Sequence, residues 1–135
     1  MVKTISKLKK ELDKWFSLYI RLREATAEGL VQCITSGRTY HYKNIHAGHF
    51  ISRRHLATRW CELNVAPQSA ADNLFGQGEQ YKFALALDSK YGQGTAEELQ
   101  YKSRQTIKMS RVDYEEKISY YKAAVDKLKK EKGIE

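Results

Sequence analysis

Between about Thr4 and Glu28 the apolar residues Ile5, Leu8, Leu12, Trp15, Phe16, Tyr19 and Leu22 recur at intervals of three and four, which lays one apolar stripe along a helix. Gly29 is a natural stop for it. Then come "LVQCIT" and "RTYHYKNIH", β-branched and aromatic segments on either side of "SGR", and this pattern predicts a β-hairpin closed by a Ser-Gly turn. From Ala47 to Gln68 the period is lost and Pro67, the single proline, falls inside, so the stretch reads as a loop. Ser69 is a candidate N-cap for a short helix that would carry Asn73.

The second half is helical in pattern. "GEQYKFALALDSKYG" predicts a helix with Tyr81, Leu85 and Asp88 marking successive turns and Gly92 ending it. Thr95 with Glu98 and Ser110 with Asp113 have the spacing of capping boxes, so each opens a further helix. In the last helix Tyr114, Ile118, Tyr121, Val125 and Leu128 form the apolar stripe, and the first and last stripes are expected to pack on each other or to form a dimer interface. The whole predicts one α+β domain, 1–135, with an N-terminal helix (1–29), a central core and following helix (30–92) and C-terminal helices (93–135). No repeat or low-complexity segment interrupts it.

Composition narrows the class. No apolar run is long enough to cross a bilayer, and "MVKTISKLKKELDKWF" lacks the continuous apolar core of a signal peptide, so a cytoplasmic protein is expected. Cys33 and Cys61 are too few for a disulfide framework and read as thiols. The net charge of +8 suits a polyanionic partner, and its distribution adds to the case: no Asp or Glu occurs from Gly29 to Cys61, while Arg38, Lys43, Arg53, Arg54 and Arg59 all do.

Within that acid-free stretch, "HAGHFISRRHLATRW" holds His46, His49, His55 and three arginines. Hairpin, histidine-bearing loop and short helix, in that order, can bring a histidine and an oxygen ligand around one metal ion. Neutral imidazole can take a proton from water while a divalent ion stabilises charge on a phosphate, a combination able to hydrolyse a phosphodiester.

"HAGHFISRRHLATRW…LN…PQSAADN…GEQYKF…LDSKYG" resembles the phage NinG/Rap recombination endonucleases, whose pattern is Asp-or-His-x-Gly-His-Phe/Tyr, then Asn, then Cys-x-x-Cys-Asn and Ser-Gly-Asn/Glu. The likeness covers about Cys33 to Leu99. It implies a ββα-metal (HNH, His-Me finger) core and a metal-dependent endonuclease acting on branched DNA such as Holliday junctions and D-loops. By position, His49 takes the place of the general base, Asn64 that of the asparagine that fixes the loop carrying it, and Asn73 that of a metal ligand. His46 stands where an acid is common, and either ligates the metal or shapes the loop. Glu79 is a second candidate ligand, and Arg38, Lys43, Arg53, Arg54, His55 and Arg59 are candidate DNA contacts that position phosphate without reading sequence.

The implied cofactor is Mg2+ or Mn2+, and a histidine ligand shifts preference from magnesium toward manganese, cobalt, nickel or zinc. A homodimer is expected, since symmetric cutting of a junction needs two sites. Family members often carry two Cys-x-x-Cys knuckles; here these read "CITS", Cys33 to Ser36, and "SAAD", Ser69 to Asp72, so no structural zinc is expected and Cys33 is read as a small buried residue. His41 reads as structural. Trp60, Tyr40 and Tyr42 either stack on unpaired bases or belong to the core, the commoner fate. Two alternatives stay open: a non-catalytic branched-DNA-binding protein, and a nickase of the HNH type without branch preference.

Overall fold

The computed structural model describes residues 2–135 and is α+β, with two small antiparallel sheets set among helices. Thr4 opens α1 (Ile5–Leu22), its hydroxyl accepting from the Lys7 amide. The expected stripe is partly right: Leu8, Leu12, Phe16, Ile20 and Leu22 are buried, whereas Ile5 is exposed. The helix ends at Leu22, short of Gly29. Gly29 instead takes a left-handed φ of 81° in the following turn, where any Cβ would meet the His41 ring 2.7 Å away.

β1 (Leu30–Gln32) and β2 (Thr39–His41) form the expected hairpin, with Val31 opposite Tyr40. Its connection is a wider turn than Ser-Gly alone, closed by the Cys33 amide donating to Arg38 O at 2.8 Å and the Gly37 amide to Cys33 O at 2.9 Å. The segment predicted as one long second strand breaks in two. His41 Nδ1 accepts from the Lys43 amide and starts a single 3-10 turn, Tyr42–Asn44, after which β3 (His46–His49) begins.

β3 pairs antiparallel with β4 (Val65–Gln68), and α2 (Leu56–Arg59) lies between them, so much of the stretch read as loop is an ordered hairpin with a long connection. Pro67 does not disrupt it. The Phe50 amide donates to Asn64 O at 2.8 Å just beyond the pair His49–Val65, and strict alternation then puts Ala47–Pro67 in a non-hydrogen-bonded pair, where a strand needs no amide proton. Consistently, the Pro67 carbonyl points away from β3 and accepts from the Ile34 amide at 2.8 Å, joining the two hairpins.

After β4, Ser69 Oγ accepts from the Asp72 amide as a cap should, and a single π-helical turn, Ala71–Phe75, carries Asn73. α3 (Gln80–Tyr91) follows and ends at Gly92 as expected, but Phe83 and Leu87 are its buried residues while Tyr81 and Leu85 face out. The stripe chosen from sequence was thus the wrong face. α4 (Thr95–Ser103) is capped by Gly94; the Thr95 hydroxyl donates to Gly92 O, so no capping box forms there. α5 (Arg111–Lys132) has the full Ser110–Asp113 box.

Three apolar clusters hold these elements. α1 and α5 meet through Leu8, Leu12, Phe16, Ile20, Tyr114, Ile118 and Tyr121, with Trp60 and Val65 completing the cluster. Val31, Cys33, Tyr42 and Ile45 pack with Leu22 and Val125, and Phe50 and Ala66 pack with Phe83, Leu87, Ala96 and Leu99. Successive β4 residues Val65 and Ala66 therefore serve opposite faces, and β4 is buried throughout. The stripes of the terminal helices pack on each other within one chain, the first of the two expectations for them.

Candidate active site

A cleft of about 680 Å³ opens between α1 and the β3 side of the hairpin, lined among others by Asp13, Arg21, Lys43, His46, His49, Arg53 and Asn73. Its two sides have separate origins. His46 and His49 begin and end β3, with Gly48 between them, and Asn73 reaches in from the π-helical turn after β4.

His49 is held by one nitrogen: Nε2 lies 2.9 Å from Arg59 O, and since a carbonyl only accepts, Nε2 carries the proton. Nδ1 is left with the lone pair. Burial lowers the imidazole pKa below its ordinary value, opposed by the bond to the Arg59 carbonyl, with Arg53 lowering it further. The ring is thereby neutral at pH 7, as a base must be.

Asn64 fixes the connection. Fully buried, it accepts from the Ile51 amide at 2.8 Å through Oδ1, and Nδ2 donates to Ile51 O and Thr58 O, both at 3.0 Å. One side chain thus ties the residues just after His49 to those just before Arg59.

His46 Nδ1 and Asn73 Nδ2 are 3.0 Å apart. The imidazole nitrogen and, once the amide turns, the Asn73 oxygen are donors of the kinds a divalent ion takes, and both face one corner of the cleft. Among the described residues no three His, Cys, Asp or Glu side chains form a metal cluster. His46 and Asn73 are the residues that would hold an ion here.

Glu79 does not join them. It sits in a left-handed conformation (φ 46°) before α3, its carboxylate folded back toward Gly76, outside the cleft. Among the candidate DNA contacts, Lys43 and Arg53 line the cleft, and Arg54 and Arg38 are exposed elsewhere. His55 precedes α2 without capping it. Arg59 is not available: its side chain is only 16% exposed and is paired with Asp13 at 2.6 Å. Trp60 and Tyr42 are buried in the core, and the half-buried Tyr40 packs against it.

Sequence reasoning missed the α1 side entirely. Asp13, Ser17 and Arg21 fall at four-residue spacing, one polar face beside the apolar stripe, and all three line the cleft. Arg21 is fastened by Nη1 to Tyr42 O at 2.8 Å and by Nε to Ser17. Such a polar row ending in a basic residue was the available signal.

The family model of the bacteriophage lambda NinG protein matches residues 1–131. The chain belongs to the NinG family. It is thus a phage recombination-associated protein, and the match takes in both terminal helices as well as the motif-bearing centre. No curated protein and no solved structure matches this NinG-family chain. Among the described residues no helix is long and apolar enough to cross a membrane.

The "CITS" and "SAAD" segments also meet. Cys33 Sγ accepts from the amides of Ser69 at 3.2 Å and Ser36 at 3.4 Å, and lies 3.9 Å from Asp72 Oδ2. The Thr35 hydroxyl donates to the same Asp72 oxygen at 2.6 Å. Burial pushes the thiol pKa up, but hydrogen bonds from Ser36, Thr35 and Ser69 outweigh it and bring it to about 7.

Proposed function

We propose that this chain is a metal-dependent endonuclease of the HNH type that hydrolyses phosphodiester bonds in branched recombination intermediates, four-way junctions and D-loops. The observation that carries the reading is the hydrogen bond from His49 Nε2 to Arg59 O, which leaves a neutral, lone-pair-bearing Nδ1 on a residue lining the same cleft as the His46–Asn73 pair. Strand, strand and helix in the order β3, β4, Ala71–Phe75 support it, as do the family and the acid-free basic stretch.

In this mechanism His49 Nδ1 takes a proton from the attacking water, whose oxygen bonds to phosphorus as the opposite P–O bond breaks. His46 and Asn73 would hold a divalent ion, which would supply Lewis-acid stabilisation of the charge on the phosphate and leaving oxygens. Lys43 and Arg53 seat the phosphodiester at the cleft, and Arg21, held rigid on α1, presents its free N–H groups to the same phosphate. Both strands of a junction need a site each, so the working unit is a homodimer that uses a surface other than the α1–α5 seam.

The second reading, a branched-DNA-binding protein without catalysis, draws on one observation: the Asn73 amide is already matched to His46, and among the described residues no group of three His, Cys, Asp or Glu side chains could hold an ion. Cleavage of a labelled four-way junction and a matched linear duplex, with magnesium, manganese or chelator, separates the two. The native chain is expected to cut the junction with a metal and not with chelator, and His49→Ala to cut at least about 100-fold more slowly. Binding without cutting under any metal establishes the second reading, and equal cutting by His49→Ala removes His49 as the base. Equal cutting of both substrates leaves a nuclease without branch preference.

A further inference from the structure

We propose that Asp13, on α1 and outside the β3–β4–helix unit, is the residue that positions the His49 base, by clamping Arg59 so that its carbonyl oxygen stays on His49 Nε2. The proposal rests on the nuclease reading for its catalytic consequence, though not for its geometry. The carbonyl in question ends α2, a helix of only four residues, too short to hold its own place. What holds it is side chains from outside.

Asp13 makes three of those bonds. Its Oδ1 accepts from Arg59 Nε at 3.2 Å and its Oδ2 from Arg59 Nη2 at 2.6 Å, a two-pronged grip that fixes direction as well as distance. Oδ1 also accepts from the Trp60 indole N–H at 3.0 Å. Two consecutive residues are thus tied to one carboxylate, and the first of them owns the oxygen on His49.

The grip is shielded from water. The side chains of Asp13 and Arg59 are 21% and 16% exposed, the Arg59 guanidinium lies over the Trp60 ring at 4.9 Å, and that ring meets Tyr114 of α5 edge-on. On the other side, Asn64 Nδ2 holds Thr58 O, the preceding carbonyl. Asn64 and Asp13 therefore bracket the bond to His49 from the loop and from α1. Arg53 adds a looser contact, 3.7 Å from Asp13 Oδ2 with its own side chain 61% exposed, which keeps it at the cleft.

Without the clamp the Arg59 carbonyl drifts and the imidazole loses the partner that selects its tautomer. A fraction of the rings then carries the proton on Nδ1, which cannot accept one from water.

The test uses the full chain and compares Asp13→Asn, Arg59→Lys and the double variant. Arg59→Lys keeps the charge against Asp13 and removes only the fork, so it serves if Asp13→Asn fails to melt cooperatively. Expected for each single variant is a fall in kcat of about tenfold to a hundredfold, and for Arg59→Lys, which leaves the contact between Asp13 and Arg53 in place, KM should change by less than about threefold, because the base is misplaced and phosphate binding is not. The double variant should be no slower than the slower single one, since both break the same link.

Long-range 1H–15N spectra, which report the tautomer whether or not the protein cuts DNA, should show His49 as the single Nε2–H form in the native chain and a mixture in the variants. A folded Asp13→Asn protein with the native rate and a single Nε2–H form overturns the proposal, as do losses that multiply in the double variant. If the native chain cuts nothing, the nuclease reading fails and the spectra alone decide whether Asp13 holds His49.

Discussion

The two nitrogens of His49 face different surroundings, and its titration follows from that. Burial disfavours the imidazolium more than the Arg59 carbonyl favours it, so the folded pKa lies below the ordinary value of about 6.5. Below about pH 6.5 the unfolded chain therefore takes up the proton more readily than the folded one, and this group's contribution to stability is lost as pH falls through that range. The same shift sets activity. The acid limb of kcat/KM for junction cleavage should have its midpoint below pH 6.5, with the rate level above it, and a midpoint at or above 6.5 would contradict a buried neutral base. The sequence pattern picks out His49, Asn64 and Asn73 because their order and spacing are local to one unit, and the structure sets His49 and Asn73 at one cleft with Asn64 in the connection behind it. The pairing of Asp13 with Arg59 is not visible there: they lie 46 residues apart, Arg59 reads as a phosphate contact and Asp13 carries no signal of its own, and only the tertiary fold pairs them. Glu79 matched by position but is turned away by its left-handed backbone.

Among the elements, the β3–β4 pair depends on the absence of one side chain. A Cβ at Gly48 would stand 2.2 Å from Gln68 Oε1 and 2.8 Å from Gln68 Cβ. Gln68 cannot step aside cheaply, because it is fully buried and its Nε2 donates to Gly78 O at 2.8 Å and to Thr35 Oγ1 at 3.2 Å, tying β4 to the segment before α3 and to the first hairpin. Gly48→Ala should therefore cost about 1–3 kcal/mol in urea unfolding through forced repacking, and it should also slow cleavage, since His46 and His49 flank it. A loss under about 0.5 kcal/mol, the range of ordinary surface substitutions, would show that Gln68 yields. This pair escaped sequence reasoning because four-residue strands show little alternation and Pro67 argues against a strand. The long amphipathic helices were readable for the opposite reason: α1 and α5 repeat their stripe over several turns, whereas in α3 the exposed Tyr81 and Leu85 compete with the buried Phe83 and Leu87 and misdirect the choice of face.

At the scale of the whole molecule, the two hairpins and the turn after β4 are joined around the Cys33 sulfur. Cys33, Ser36, Ser69 and Asp72 come together around the Cys33 sulfur, yet only Cys33 and Asp72 are good ligand types, and hydrogen bonds already join the segments: two amides to sulfur, Thr35 to Asp72, and Ile34 to Pro67 across the hairpins. α1 adds a second tie, since it packs on α5 and also reaches the cleft through Asp13, Ser17 and Arg21. Fold and chemistry should then respond differently to metal removal. After exhaustive chelation the melting midpoint should stay within about 2 °C of the untreated protein, which at this chain length corresponds to less than about 1 kcal/mol. Junction cleavage should be lost in the same sample and return on adding manganese or magnesium. Stoichiometric zinc in the purified protein, or a midpoint that collapses on chelation, would mean that Cys33 and Asp72 anchor an ion after all, and the hydrogen bonds around the sulfur would then be its outer shell rather than its replacement.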